Sequence, residues 1–247
     1  MKGAGMRAGH EMRATLADWL DLHGLTPDVC RTLLSQTPGV APTAKDPDWF
    51  ATPEETWNLV AGYMTAALPQ ATRIIDQTTR ETRRDFSGTG RWASRAFTFQ
   101  DDKNGLVLVV CQPRQRLSDL MIIAHEFGHA LQLTATLQPS HPMPPLTREI
   151  CATLAELLVI EQFARTTAAE AALAMQIFTG RGAALRQRAQ QDLLAALEAP
   201  STPYSLNWNY PPARVLASRA KVKLDAKDLW RIFTGTMALP ELLKATG

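Results

Sequence analysis

Cysteine is scarce in this chain. Cys30, Cys111 and Cys151 are odd in number, far apart and without a C-x-x-C pair. That argues against a disulfide framework and favours a reducing compartment, with buried thiols as the plain alternative. An excess of one charge is missing too. Lys and Arg number 26 against 24 Asp and Glu, a net +2, which gives no case for nucleic acid or an anionic membrane as partner. The basic group Arg80, Arg83, Arg84 is offset by Glu81 and Asp85 and reads as a solvated helix face. No apolar run reaches the roughly 20 residues a bilayer demands. Residues 1–7 carry no apolar run of signal-peptide length, so the expectation is a soluble, cytoplasmic protein, with export lacking a cleaved signal left open. Internal repeats and low-complexity tracts are absent. With 45% hydrophobic and 20% charged residues, the composition is that of a globular chain able to bury a sizeable core.

What the sequence does have is concentrated in His125-Glu126-Phe127-Gly128-His129. Residues four apart in an α-helix share a face, so His125 and His129 can aim both imidazoles at one point. Two neutral nitrogens held in this way form half of a tetrahedral zinc site. Glu126, beside the first histidine, can reach a water at that metal and serve as general base. The flanks predict a helix, with Ser118 as N-cap, Asp119 in the first turn, and Leu120, Ile123, Ala124, Phe127, Ala130 and Leu131 at apolar spacing. A five-residue match also occurs in proteins that bind no metal, so a third ligand decides. Glu149 lies twenty residues beyond His129, after a loop holding Pro139, Pro142, Pro144 and Pro145. Residues 147–158 predict a second helix with Thr147 as N-cap, and helix, loop and helix can return Glu149 to the two histidines. Glu156, two turns further on nearly the same face, can accept the free ring N–H of a ligating histidine. For both glutamates the alternative is an exposed helix position.

Around this centre the chain reads as mostly helical. Residues 11–23 carry Met12, Leu16, Trp19 and Leu20 at helical spacing, ended by Gly24, with His23 as a structural residue whose partly positive imidazole suits the helix dipole. A second helix starts at Thr26-Pro27-Asp28 and stops before Pro38-Gly39. Residues 37–50 read as an ordered loop. Thr52-Pro53-Glu54-Glu55 joins an N-cap, a first-turn proline and a capping box, opening a helix to about Leu68. Another runs from Pro69 to about Arg84. After Ser87-Gly88-Thr89-Gly90 the pattern changes. Residues 93–99 alternate and 106–111 are continuously β-favouring, which predicts a hairpin just before the metal-motif helix. Such an edge can take an extended peptide as an added strand, with Ala96, Phe97 and Phe99 as candidate substrate contacts; the alternative is a structural hairpin. Residues 168–198 predict helix, broken near Gly180-Arg181-Gly182. An aromatic loop at 203–212 leads into a helix from Ala213, and a last helix starts near Asp225.

These residues together resemble the thimet oligopeptidase and oligoendopeptidase F family of zinc metallopeptidases. The match is best over about 91–158, covering Arg95-Ala96-Phe97, Leu117 to Met121, His125 to Leu131, and Glu149 to Glu156. The resemblance implies a mainly α, zincin-like fold with one small β-hairpin beside the active-site helix. It maps one zinc ion to His125, His129 and Glu149, the general base to Glu126, and oxyanion help to Tyr210 or Tyr204. Residues 1–86 would form an N-terminal helical layer and 87–247 the catalytic core, in one continuous compact domain. The sequence departs from the family in three ways. Family members are much longer, so most of the cover over their substrate channel has no counterpart, and a partner chain or second copy is one way to complete the site. Gln132 stands where a further His often follows the motif. The C-terminal segment has no His to pair with a tyrosine; His141, in the proline loop, is the candidate replacement, against a solvated loop His.

The expected function is zinc-dependent endopeptidase cleavage of extended peptides or of a protein substrate. A non-catalytic peptide-binding module keeping fold and zinc is the alternative, and a zinc hydrolase of non-peptide amides remains open by spacing alone.

Overall fold

The computed structural model describes residues 14–37, 45–87, 96–101, 104–136, 143–166 and 168–247. Residues 1–13, residues 38–44 of the first proline-rich loop, the 88–95 segment and His141 with its own proline loop lie outside the described residues. Eleven α-helices and three strands occur in chain order among those described: α1 Leu16–His23, α2 Pro27–Ser35, α3 Pro53–Ala67, α4 Thr72–Glu81, β1 Arg83–Asp85, β2 Phe97–Gln100, β3 Val107–Val110, α5 Ser118–Ala135, α6 Pro145–Thr166, α7 Ala168–Gly180, α8 Ala183–Ala196, α9 Tyr210–Lys223, α10 Ala226–Phe233 and α11 Leu239–Thr246. The architecture is mainly helical with one small sheet. No described helix is long and apolar enough to cross a membrane.

Local signals set several boundaries as the sequence predicts. Thr52 and Glu55 form a reciprocal capping box with Pro53 in the first turn of α3, which satisfies donors that the helix itself leaves without partners. Thr26 caps α2 ahead of Pro27. Gly24 ends α1 in the left-handed region at φ 61°, where a side chain would be strained. Gly182, at φ 65°, separates α7 from α8.

Other boundaries are set by distant partners and differ from the expectation. α4 stops at Glu81, and Arg83–Asp85 instead pair in parallel with β3, Arg83 opposite Leu108 and Asp85 opposite Val110. Val109 is fully buried and Val107 and Val110 nearly so, and β1 supplies backbone partners along one side of that buried strand. Arg84 is therefore no solvated surface charge. Its guanidinium donates 2.8 Å hydrogen bonds to the Thr79 and Thr82 carbonyls, capping α4, and lies 5.3 Å from the Trp57 ring. Ser118 is the first residue of α5 rather than its cap; its N–H donates to Asp46 at 3.0 Å. Asp119 turns back to accept the N–H groups of Arg114 and Arg116. α6 begins at Pro145, so Thr147 lies inside its first turn. α9 begins at Tyr210 rather than Ala213; Pro211 and Pro212 fit there because first-turn N–H groups have no intrahelical acceptor. α11 comes after α10 as an additional helix.

The sheet has the order β1-β3-β2, with β2 antiparallel to β3. It packs against α5, which also packs on α3 and α6, and α6 packs in turn on α7 and α9. α5 and α6 approach each other closely at Gly128. A Cβ added there would stand 2.8 Å from both Ala152 Cα and Ala155 Cβ.

His23 joins α1 to α6. Its Nδ1 lies 2.7 Å from the Trp19 carbonyl, and Nε2 accepts the Leu146 N–H at 3.1 Å. The ring is thus neutral, with its proton on Nδ1, rather than partly positive: it caps the start of α6. Burial holds its pKa below the ordinary 6.5, although the Trp19 hydrogen bond acts upward. Above pH 6.5 its contribution to stability is complete. As pH falls from about 6.5 towards the lower folded value, the unfolded chain takes up the proton first, so stability falls. Thermal melts from pH 8 to 5 are expected to show a steeper acid-side loss for the wild type than for His23→Gln, and equal slopes would exclude this role.

Candidate metal centre

α5 carries His125 and His129 one turn apart, and the close contact at Gly128 brings α6 alongside. Glu149 Oε2 lies 3.6 Å from His125 Nε2 and 3.8 Å from His129 Nε2. Among the described residues these three side chains form a group placed to hold a metal, with their ligand atoms all within 4.8 Å of one another. Two observations test the fit. Ligand atoms at about 2.1 Å from a tetrahedral zinc stand about 3.4 Å apart, close to both separations. Glu149 Oε2, buried between the two imidazoles, has no hydrogen-bond donor; a buried carboxylate oxygen without a partner is costly, and a cation removes the cost. The residues fit a His-His-Glu metal centre.

Both flanking glutamates are buried and hydrogen-bonded. Glu156 Oε1 lies 2.7 Å from His125 Nδ1, and its Oε2 accepts from Arg181 Nη2 at 2.8 Å. Glu126 Oε2 accepts from the Thr98 hydroxyl at 2.7 Å, and the same hydroxyl lies 3.2 Å from the Glu126 carbonyl.

The low-dielectric setting shapes the charges. Burial works against a charged His125, but the Glu156 hydrogen bond and charge, with Glu149 and Glu126 nearby, lift it to about 9. For His129, burial together with His125 and Arg148 drives the value well below 6.5. Burial raises Glu126, opposed by His125 and Thr98. It raises Glu149 as well, opposed by His125. Glu156 goes the other way: burial acts upward, yet Arg181 and His125 bring it down to about 2. One carboxylate is thus held firmly ionised on the outer side of His125, while the two facing the centre are more basic than usual.

The remaining candidates lie in the loop before α9, at the start of α9 and in and just before β2. Tyr204 is half-buried and accepts from Asn209 Nδ2 at 2.7 Å, leaving its own O–H proton available. Burial raises its pKa, and Arg148 and Glu149 act on it electrostatically. Tyr210 is half-buried at the first position of α9. Ala96 is exposed just before β2. Phe97 and Phe99 stack on each other at 5.8 Å, on the face of β2 opposite Thr98, whose side chain is the one that reaches the centre. β2 is an edge strand, paired with β3 among the described residues.

Thr98 and Arg181 are the functional candidates that sequence reading passed over. The alternation Phe97-Thr98-Phe99 before a metal motif carries a usable signal for Thr98, because a lone hydroxyl must face away from its aromatic neighbours. Arg181 carries no such local signal.

No protein-family model matches the sequence, and no curated protein matches it. Among solved structures, PZ peptidase A with an inhibitor superimposes with a TM-score of 0.53 at 14% identity, over 98% of this chain and 55% of that one. A chain assigned as a peptidase from Chlamydophila abortus gives a TM-score of 0.46 at 17% identity, over 94% of this chain and 39% of that one. The chain therefore has a helical, peptidase-like fold and spans about half the length of PZ peptidase A.

Proposed function

We propose that this protein is a zinc-dependent metallopeptidase of the thimet oligopeptidase type, cleaving peptide bonds in extended peptides. The observation that carries the reading is the convergence of His125, His129 and Glu149 on one point, with the carboxylate of Glu126 beside it. Zinc bound there supplies Lewis acidity, making water a nucleophile at neutral pH and polarising a carbonyl. The chain's own residues do the rest. Glu126, its Oε2 fixed by Thr98, takes the proton of the attacking water through its other oxygen and passes it to the leaving amine. Tyr204 or Tyr210 donates to the oxyanion as the carbonyl becomes tetrahedral; Asn209 already orients the Tyr204 oxygen. Loss of a single oxyanion donor is typically worth about 3 kcal/mol. β2, an edge strand among the described residues, offers the extended substrate a strand to pair with. In this reading residues 87–247 carry the catalytic core and the preceding helices a supporting layer.

The test is metal analysis combined with a chelator-sensitive assay on a mixed peptide library. One zinc per chain and cleavage abolished by chelation are expected. Glu149→Ala should lose zinc during dialysis that leaves the wild type loaded, and unchanged metal content would remove Glu149 from the ligand set. Stoichiometric zinc without turnover on any peptide or protein would leave a zinc-bearing binding module instead.

A further inference from the structure

The Glu156 carboxylate is used at both ends. Its Oε1 faces His125 Nδ1 at 2.7 Å and its Oε2 faces Arg181 Nη2 at 2.8 Å, in a side chain only 6% exposed. A guanidinium is a donor and never an acceptor. Paired to one, a buried carboxylate has only acceptor capacity left for the imidazole. His125 must then present Nδ1–H to Glu156, so that Nε2, the nitrogen that faces Glu149, is the one left for a metal to take.

The anchor on Arg181 is itself built. Arg181 stands at the break between α7 and α8, twenty-five residues after Glu156, and Gly182 turns the chain at φ 65° immediately after it. Arg214 donates to the Phe178 carbonyl at 2.8 Å with its guanidinium 3.6 Å from the Phe178 ring. Arg186 donates to the Thr179 carbonyl at 2.6 Å and to the carbonyl of Arg181 itself. Two arginines therefore hold the last turn of α7 through its carbonyls, and the third leaves that turn to reach Glu156. A surface ion pair needs no such support.

We infer that Arg181 is a positioning residue for the metal centre, acting through Glu156 to fix the ring orientation and tautomer of His125. The inference rests on the metal reading above and extends it to an element, the α7–α8 turn, that contributes no ligand. Without Arg181, Oε2 of Glu156 is buried and unpaired, the carboxylate is free to rotate, and His125 loses its fixed hydrogen bond.

The experiment is a double-mutant cycle on zinc affinity, read by competition with a chromophoric chelator, for wild type, Arg181→Met, Glu156→Gln and the double variant. Each single change is expected to weaken zinc by about 10- to 100-fold, as loss of a ligand's hydrogen-bond partner commonly does. The double variant should bind no more weakly than Glu156→Gln alone, since coupled residues do not add. Arg181→Lys should recover part of the loss by restoring one donor, and it carries the test if Arg181→Met does not fold. Additive effects, or an Arg181 variant that melts earlier and yet binds zinc like the wild type when folded, would overturn the inference. A wild-type chain that takes up no zinc would overturn the metal reading as well.

Discussion

Glu126→Gln should retain the zinc content of the wild type and lose about 10²- to 10⁴-fold in peptide cleavage, the range over which a positioned general base typically acts. The substitution is close to isosteric, and the Thr98 hydroxyl that now donates to Glu126 Oε2 at 2.7 Å can donate equally to an amide oxygen. Side-chain placement should therefore survive while basicity does not. Burial, the largest influence on this carboxyl, lifts its pKa, and a more basic carboxylate is better matched to proton transfer near neutral pH. Steady-state kcat/KM beside metal analysis of the same sample separates the two quantities. Cleavage at the wild-type rate would remove Glu126 from the chemistry, whatever the metal content.

The second large effect is expected from a residue with no side chain. Gly128→Ala would place a methyl group 2.8 Å from the backbone Cα of Ala152, 2.8 Å from Ala155 Cβ and 3.0 Å from the Cys151 carbonyl. Replacing glycine by alanine inside a helix ordinarily stabilises by about 1 kcal/mol. Overpacking a tight contact costs about 1–3 kcal/mol, and here two of the three opposing atoms are backbone, which cannot rotate away. The clash should win, and Gly128→Val should be worse. Because α6 carries Glu149 one turn before this contact, any separation of the helices also draws the carboxylate from the histidines. A lower melting temperature together with weaker zinc binding is expected. A variant of wild-type stability and affinity would show that the helices have room to spare.

Much of this was legible in the chain because it is encoded over short distances. Thr52 through Glu55 announce α3, Gly24 ends α1, and the Gly180-Arg181-Gly182 break falls between α7 and α8, all through interactions within a few residues. The histidine spacing on α5 is likewise a local fact. Glu149 was reachable because one loop joins its helix to that of the histidines. What was not legible depends on partners remote in sequence. Asp46 receives the first N–H of α5 from 72 residues away. His23 caps α6 across 123 residues. β1 is a strand only because the buried backbone of β3 lies beside it, and nothing in Arg83-Arg84-Asp85 favours that over another helical turn. Arg181 gives no sign in its own neighbourhood that it reaches Glu156.

The first helix is stitched to more of the molecule than its eight residues suggest. At its start, the N–H of Leu16 donates to the Thr202 carbonyl and the Ala14 carbonyl accepts from Tyr204 N–H; midway, the Trp19 indole donates to Asn209, which in turn orients Tyr204; at its end, His23 meets the opening turn of α6. These seams run from the beginning of the described chain to both α6 and the tyrosine loop. Severing the amino-terminal helices from the remainder of the chain would strip the half that holds His125, His129 and Glu149 of its own fastenings, so the two halves should melt in a single transition.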